Sequence, residues 1–174
     1  MNELILHVPS FEELKYRQLI LSQEDTMSYN KGYNLGIETY NNETGCIDFS
    51  KNYWSEWYSK WVCERVDRYY AYIVNSKTGE FVGDVCFYYD SQNDLHLIGI
   101  VIESKHRSKG YCSKGLLKLA ETAFNDFDVK ILRNVIPLDR KSAISGHKSA
   151  GFREISIDYN LITLDLVKSE HLSK

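Results

Sequence analysis

The stretch ESKHRSKGYCSKGLLKLAETAF, residues 103–124, is the most informative part of the sequence for the fold. In it, a group of basic residues and glycines runs directly into a helical pattern. A helix start presents backbone N–H groups that have no partner within the helix, together with the positive end of the helix dipole. Glycines such as Gly110 and Gly115 let these N–H groups approach an anion closely. The stretch therefore predicts a phosphate-binding site at the start of a helix.

The segments on either side of this stretch predict a mixed sheet. Residues 68–103 alternate and contain the turn sequences NSKTG and DSQND, which indicates three antiparallel strands. After the helix, residues 129–137 indicate a further strand, residues 139–149 a helix ended by Gly151, and residues 152–168 a strand pair. A strand, helix and strand in succession imply parallel pairing across the helix. A ligand is expected where the direction of pairing changes.

The first third of the chain predicts helices around a long loop. Residues 3–8 alternate like a strand, and the spacing of Ser10 and Glu13 matches a capping box for a helix that runs to about Gln23. Residues 26–49 are rich in Asn, Gly and Tyr, which predicts a loop with short helical turns at most. From Ser50 a helix places six apolar residues on one stripe: Tyr53, Trp54, Trp57, Tyr58, Trp61 and Val62.

Composition excludes several classes of protein. The 174 residues suit one domain spanning residues 1–174, and 21 basic against 24 acidic residues lack the positive surface of a nucleic-acid-binding protein. Four cysteines without a C-x-x-C pair indicate neither a zinc site nor a disulfide framework. We expect no metal and reduced thiols. No stretch has the length of a signal peptide core or a membrane span, so we expect a cytoplasmic protein without a membrane partner.

Nucleotide-binding motifs do not account for the glycine-rich stretch. Gly110 and Gly115 have the spacing of the glycines in G-x-x-x-x-G-K-[ST], but Leu116 and Leu117 stand where the lysine and the hydroxyl residue are required. The dinucleotide motif G-x-G-x-x-G is absent from the sequence. Nucleotide phosphotransfer is therefore not expected.

The hexapeptide RSKGYC, residues 107–112, lies between the apolar strand LIGIVIE and an amphipathic helix. In this setting it resembles the Q/R-x-x-G-x-G/A signature of the GNAT superfamily of acyl-CoA-dependent N-acetyltransferases. HKSAGF, residues 147–152, resembles the Gly-Phe ending of the family's second motif. The resemblance implies a GNAT-like α/β (α+β) fold: a mixed, mostly antiparallel central sheet with helices on both faces. It also implies transfer of an acetyl group from acetyl-CoA to an amine.

Three positions depart from the family pattern. Cys112 stands where Gly or Ala is usual. Arg140 and Ala143 stand where the family often has Asn and Ser, so its polar contact to the pantetheine arm is in doubt. Asp139 and Ser142, one position away, could replace that contact.

The resemblance implies a binding site for coenzyme A. N–H groups from Ser108 to Ser113, which include those of Lys109, Gly110, Tyr111 and Cys112, would wrap the pyrophosphate, and Arg107 and Lys109 would add positive charge. The pantetheine amides would pair with the strand edge at Ile100, Val101 and Ile102. The alternative for the loop is an exposed basic turn with an ordinary helix cap.

Acetyl transfer requires an uncharged amine, a donor for the oxyanion and a proton for the leaving thiolate. His147 stands where family members resembling this chain often have a catalytic tyrosine, so it is the predicted acid; it could instead pack the helix end. His96 is the predicted base, and Asp84 and Glu103 are lesser candidates. The resemblance implies that the oxyanion donor is a backbone N–H of the strand before the loop, at Ile100 or Val101. A thiolate nucleophile at Cys112 is disfavoured.

The acceptor site is expected in the long loop and the helix after it. Aromatic faces and carboxylates suit a cationic amine, and the predicted acceptor-binding residues are Tyr29, Tyr33 and Asp84. The acceptor would be a small molecule or a peptide amine, and the protein a monomer or homodimer. The competing hypothesis is a module that binds acyl-CoA, or senses it, without turnover.

Overall fold

The computed structural model describes residues 4–171 and contains one seven-stranded sheet. The strands are β1 Leu4–His7, β2 Arg68–Asn75, β3 Phe81–Asp90, β4 Leu95–Ile102, β5 Ile131–Pro137, β6 Arg153–Asp158 and β7 Leu161–Val167. Their order in the sheet is β1-β2-β3-β4-β5-β7-β6. All neighbouring strands are antiparallel except β4 and β5, which are parallel. This topology confirms the predicted mixed, mostly antiparallel sheet.

The helices connect and cover these strands. They are α1 Leu14–Ser22, α2 Glu24–Met27, α3 Lys51–Tyr58, α4 Tyr111–Asp126, α5 Lys141–Ser149 and α6 Lys168–His171. Short 3-10 turns occur at Ser28–Asn30 and Ser104–His106, and a π-helical turn, Ser59–Cys63, extends α3. None of the helices described is both long and apolar enough to cross a lipid bilayer.

The first helix begins later than the capping-box spacing predicts. Glu13 is its N-cap residue, and the helix starts at Leu14. The Glu13 carboxylate accepts a hydrogen bond from the Ser10 N–H at 2.8 Å and also contacts His7 Nε2 at 2.8 Å. The carboxylate therefore makes the bond to the Ser10 N–H that a capping box requires, but residues 11–13 form a turn and the α-helix itself starts at Leu14.

The two faces of the sheet carry different cores. On one face, alternate residues of β2 and β3, among them Ile73 and Phe87, pack against the buried stripe of α4, which includes Leu116 and Leu119. On the other face, Tyr70 and Tyr72 contact the aromatic side chains of α1, α3 and the π-helical turn. The two-residue period of a strand explains this division.

The aromatic stripe of α3 is mostly buried, as the sequence predicts, but one member faces solvent. Trp54 is buried and its indole N–H donates to the Phe49 carbonyl at 3.0 Å. Trp57 packs edge-on against Tyr70, with ring centroids 4.6 Å apart. Tyr53 is 44% exposed, so it lies outside the core face that most members of the stripe form.

Candidate active site

A cleft opens where the two parallel strands separate. β4 and β5 are in register only at His96 opposite Leu132 and Leu97 opposite Arg133. Beyond these pairs the strands diverge, and 100–102 of β4 and 134–136 of β5 form walls of a cleft of about 830 Å³. The cleft lies at the point where the sheet changes from antiparallel to parallel pairing, which is the position predicted for a ligand.

Backbone groups of β4 face this cleft at alternate residues. The Glu103 N–H donates to the Val82 carbonyl at 3.0 Å, and the same register pairs Val101 with Asp84. In an antiparallel ladder, hydrogen-bonded and non-hydrogen-bonded pairs alternate. The backbone groups of Val101 therefore point to β3, whereas those of Ile100 and Ile102 point towards β5 and the cleft.

The glycine-rich loop forms one end of the cleft. Gly110 is the N-cap of the 16-residue helix α4 and has a φ of +75°, in the left-handed region that favours glycine. Ser108 also has a positive φ, of +60°. As the N-cap residue, Gly110 makes no side-chain cap bond, and the first N–H groups of any helix have no intrahelical partner. The loop and the helix dipole together suit an anion.

The structure brings most of the predicted coenzyme-binding residues to the cleft. The lining includes Ile100, Val101, Ile102, Arg107, Ser108, Gly110, Tyr111, Cys112 and Ser113. Lys109 is exposed and is not part of the cleft wall. The side chain of Tyr111 is buried, and its hydroxyl oxygen accepts a hydrogen bond from Asn75 Nδ2 at 3.2 Å.

Arg107 is exposed at the cleft, and its guanidinium bonds to backbone carbonyl groups, which differs from the predicted role of its side chain. Its guanidinium donates to the carbonyl oxygens of Asp25, Thr26 and Ile102 at 3.0, 2.5 and 3.3 Å. Its own N–H donates to the Ser104 carbonyl at 3.2 Å. The side chain therefore ties the end of α2 to the end of β4, and three of its five N–H donors bond to carbonyl groups.

Cys112 is a packed thiol. Burial raises the pKa of Cys112 to about 11, so a thiolate is scarce at neutral pH despite the helix start. A side chain at Gly146 of α5 would meet the Cys112 sulfur, because a Cβ there would lie 2.8 Å from it. Cys112 and Gly146 thus set the close approach of α4 and α5, which argues against the nucleophile alternative.

His147 lines the cleft but has both ring nitrogens engaged. Nδ1 lies 2.8 Å from the Ala143 carbonyl and must donate to it, while Nε2 lies 2.9 Å from the Asn134 side-chain nitrogen and accepts from it. The residue is 1% exposed, and burial lowers its pKa. The ring is therefore held neutral without a free N–H, which argues against the predicted role as acid.

His96 lies outside the cleft, which corrects its assignment as base. It stands at the paired end of β4, opposite Tyr89 and Leu132, and its ring packs against Phe87 and Tyr89. Four residues separate it from Ile100, which is about 13 Å along a strand. The ring therefore packs within the sheet instead of facing a ligand in the cleft.

The two buried carboxylates predicted as lesser bases are also engaged. Asp84 Oδ2 accepts hydrogen bonds from Arg17 Nη1 at 2.8 Å and from the Tyr70 hydroxyl at 2.6 Å. Glu103 accepts from the Tyr16 hydroxyl and Gln23 Nε2, both at 3.1 Å. Asp84 is thus an internal ion-pair partner, and its prediction as an open acceptor-binding residue was wrong.

A tyrosine–arginine bridge crosses the mouth of the cleft. The Arg140 guanidinium carbon lies 4.8 Å from the ring centroid of Tyr29 and 4.7 Å from that of Tyr33. The Tyr33 hydroxyl donates to the two carboxylate oxygens of Asp139 at 3.2 and 3.1 Å. Tyr29 and Tyr33 therefore lie at the cleft, as predicted, and Arg140 holds them there by cation–π contacts.

Sequence reasoning missed this function of Arg140, because the residue was judged only by its difference from the family pattern. An arginine and an aspartate directly after a strand, with tyrosines in a long loop, were the available signals. Asp139 is the single carboxylate lining the cleft within residues 4–171. The same residues contain no group of three His, Cys, Asp or Glu side chains placed to hold a metal ion.

The site can hold an extended ligand with an anionic group at one end. The anionic group would lie at the start of α4. The rest of the ligand would follow the open edge of β4, in the cleft between β4 and β5. Such a fold and cleft define the class of acyl-CoA-dependent transferases. The sequence profile of the Acetyltransferase (GNAT) family matches residues 22–152. The chain belongs to this family and is an acyltransferase.

Solved structures of other proteins share the fold of this chain. Spermidine N-acetyltransferase from Vibrio cholerae, in complex with CoA and spermine, superposes with a TM-score of 0.75 at 14% identity, covering 99% of each chain. A GNAT acetyltransferase from Bacillus anthracis has a TM-score of 0.71 at 13% identity over 97% of this chain and 98% of that one. FdhC, described as a nucleotide-linked sugar GNAT, has a TM-score of 0.68 at 18% identity over 99% of this chain and 90% of that one. A search of curated protein sequences finds no significant match.

Proposed function

We propose that the chain is a single N-acetyltransferase domain that moves the acetyl group of acetyl-CoA to a primary amine. Transfer is direct, within a ternary complex of enzyme, acetyl-CoA and acceptor. The acceptor is a small molecule or a peptide amine, and the reaction takes place in the cytoplasm without a metal ion. The observation that carries this proposal is the divergence of β4 and β5 next to the left-handed Gly110 at the start of α4.

Coenzyme A would use backbone groups in this cleft. Its pyrophosphate would accept hydrogen bonds from N–H groups of Ser108–Ser113, and its pantetheine arm would pair with the edge of β4 at Ile100 and Ile102. The buried thiol of Cys112 and the small residue Gly146 would leave room beside the arm. Acetyl-CoA here is a co-substrate, and it supplies the thioester.

The chemistry would use one backbone donor and one carboxylate. The N–H of Ile100 points into the cleft and would stabilise the oxyanion that forms when the amine attacks the thioester carbon. Asp139 would accept the proton of the incoming ammonium group. The leaving thiolate, with a pKa near ~8.5, would take a proton from water. His147 would position Asn134 in the cleft wall.

A non-catalytic acyl-CoA-binding module remains the competing proposal. It is favoured by the engagement of both ring nitrogens of His147, which leaves Asp139 and water to move protons. Such a module would bind coenzyme A and release no thiol with any acceptor. The distinction is therefore one of turnover and not of coenzyme affinity.

The experiment that tests the proposal measures thiol release from acetyl-CoA with a panel of amines. Monoamines, polyamines, aminoglycosides, amino acids and peptide N-termini would each be supplied with the full chain. We expect thiol release with at least one class, and coenzyme binding by calorimetry in all cases. Binding without release on any acceptor would replace the enzyme by the binding module, and absence of binding would overturn both.

A further inference from the structure

A buried positive charge lies on the face of the sheet opposite α4. Arg17 extends from α1 to β3, where its Nη1 contacts Asp84 Oδ2 at 2.8 Å and the Tyr70 hydroxyl at 3.1 Å. Its side chain is 19% exposed and that of Asp84 only 6%. Arg17 Nε is buried and has no hydrogen-bond partner among the residues described. The Coulomb pair is therefore strong, but the guanidinium is incompletely satisfied.

Three aromatic rings complete the surroundings of this guanidinium. Its central carbon lies 4.6 Å from the ring centroid of Trp57, 5.0 Å from that of Tyr70 and 5.2 Å from that of Phe49. Aromatic faces together with a carboxylate form the arrangement that recognises an alkylammonium or guanidinium ion. Phe49, Trp57, Tyr70 and Asp84, called the cation cage below, surround the Arg17 guanidinium in this way.

The cation cage adjoins the cleft. Asp84 is in register with Val101, which lines the cleft. Tyr29 and Val101 both pack against the cluster that contains Phe49, and both belong to the cleft wall. The cage and the cleft wall therefore share packing neighbours.

We propose that Arg17 occupies, from within the protein, a cage that would otherwise take a second positive group of an amine acceptor. Resting on the acetyl-transfer function proposed above, this assigns Arg17 as a specificity-determining residue. One carboxylate already balances one guanidinium, so a polyamine would bring an unpaired charge to an occupied cage. The native acceptor is accordingly a primary amine without a second cation beside the reacting group.

The structural likeness to spermidine N-acetyltransferases does not decide this question, because 14% identity shows the fold alone. The acceptor class must come from this chain's own residues. The filled cage separates two otherwise similar substrate classes, monoamines and polyamines. It predicts that removal of one side chain, Arg17, changes the class that binds.

The test is binding of propylguanidinium and of spermidine to Arg17→Ala, measured by calorimetry and thermal shift without coenzyme. Propylguanidinium has the size and charge of the side chain that is removed. We expect saturable binding of both cations to the variant at least about tenfold tighter than to the wild type. In Arg17→Ala/Asp84→Asn, which lacks the cage carboxylate, this gain should disappear. If Arg17→Ala is unfolded when isolated, propylguanidinium present during refolding should restore the fold.

Two results would overturn the proposal. If the wild type binds spermidine as tightly as the variant does, Arg17 does not keep external cations out of the cation cage. A variant that neither binds propylguanidinium nor folds in its presence would mean that the cage is not a cation site. Because these measurements use no coenzyme and no turnover, they stand apart from the test of acetyl transfer. If the protein turns over, the ratio of kcat/KM for spermidine to that for butylamine should be higher in Arg17→Ala than in the wild type.

Discussion

The proposed coenzyme side of the cleft, residues 100–113, and the proposed acceptor side, residues 17–58 with Asp84 and Asp139, differ in how far apart in sequence their contacts are. The coenzyme side consists of one strand end, one loop and one helix start within fourteen consecutive residues. On the acceptor side, Arg17 contacts Asp84, 67 residues away, and Tyr33 contacts Asp139, 106 residues away. A local site made of backbone groups tolerates changes elsewhere, whereas a site made of long-range side-chain pairs depends on each partner.

The largest expected effect is on the acceptor side. Asp84→Ala removes the partner of a buried guanidinium and should lower the free energy of unfolding by about 3 to 5 kcal/mol. Urea denaturation of the wild type and the variant measures this difference. Asp158→Ala is the control, because Asp158 is an exposed carboxylate of β6, and it should change stability by less than about 0.5 kcal/mol. Equal stability of Asp84→Ala and wild type would mean that Arg17 is not held by the pair.

The next largest effect is a loss of coenzyme A affinity, which concerns the coenzyme side alone. Gly110→Asp places a charged side chain at a φ of +75° where N–H groups should meet phosphate, and should weaken coenzyme A binding about a thousandfold. Calorimetry measures the affinity. Gly79→Asp is a matched control, since Gly79 has a φ of +72° in the β2–β3 turn, and a Cβ at either glycine meets nothing within 4 Å. Unchanged affinity in Gly110→Asp would move the pyrophosphate away from this loop.

A smaller effect, on turnover alone, separates the acceptor side of the cleft from the coenzyme side. Asp139→Asn keeps the shape of the side chain but removes the proposed proton acceptor, so turnover should fall about a hundredfold while coenzyme affinity is kept. Steady-state kinetics and calorimetry separate these quantities. Tyr33→Phe, which removes only the hydroxyl, should lower turnover by less. If both variants turn over as fast as the wild type, water alone receives the proton.

The smallest effect concerns His147 and pH. Burial lowers its pKa in the folded state below the ordinary 6.5, so the unfolded chain takes up this proton first as pH falls. Stability should therefore decrease below about pH 6.5, and less so in His147→Gln, by under about 1 kcal/mol. Urea denaturation at pH 8 and pH 5.5 gives the two differences. An identical pH dependence in both proteins would show that the ring is not held neutral.

Much of the fold was predictable because its signals are local. The turns between β2, β3 and β4 contain the residues that hairpins require, and α4 follows directly from the glycine-rich loop. The delayed start of α1 was not predictable. Glu13 contacts Ser10, as the capping-box spacing predicts, but it also contacts His7, which the spacing does not reveal.

The site residues also divide into those with local sequence signals and those whose roles depend on distant contacts. The lining of the cleft by Ile100–Ile102 and by Ser108 and Gly110–Ser113 followed from motif and position. The outcomes for His96, Arg107 and His147 depended instead on which neighbour each side chain met. Alternation along a strand, for example, restricts His96 to one of two faces, but its distance from the cleft depends on where β4 and β5 separate.

The sequence by itself determined the class of the sheet, the position of the loop and helix that face the cleft, and the family, because these depend on residue periodicity and on glycines with special backbone angles. Only the tertiary structure decided that Arg17 fills the cation cage, that Arg140 bridges Tyr29 and Tyr33, and that Cys112 packs on Gly146. These contacts join segments that are far apart in the chain, and their geometry exists only after the helices have packed on the sheet.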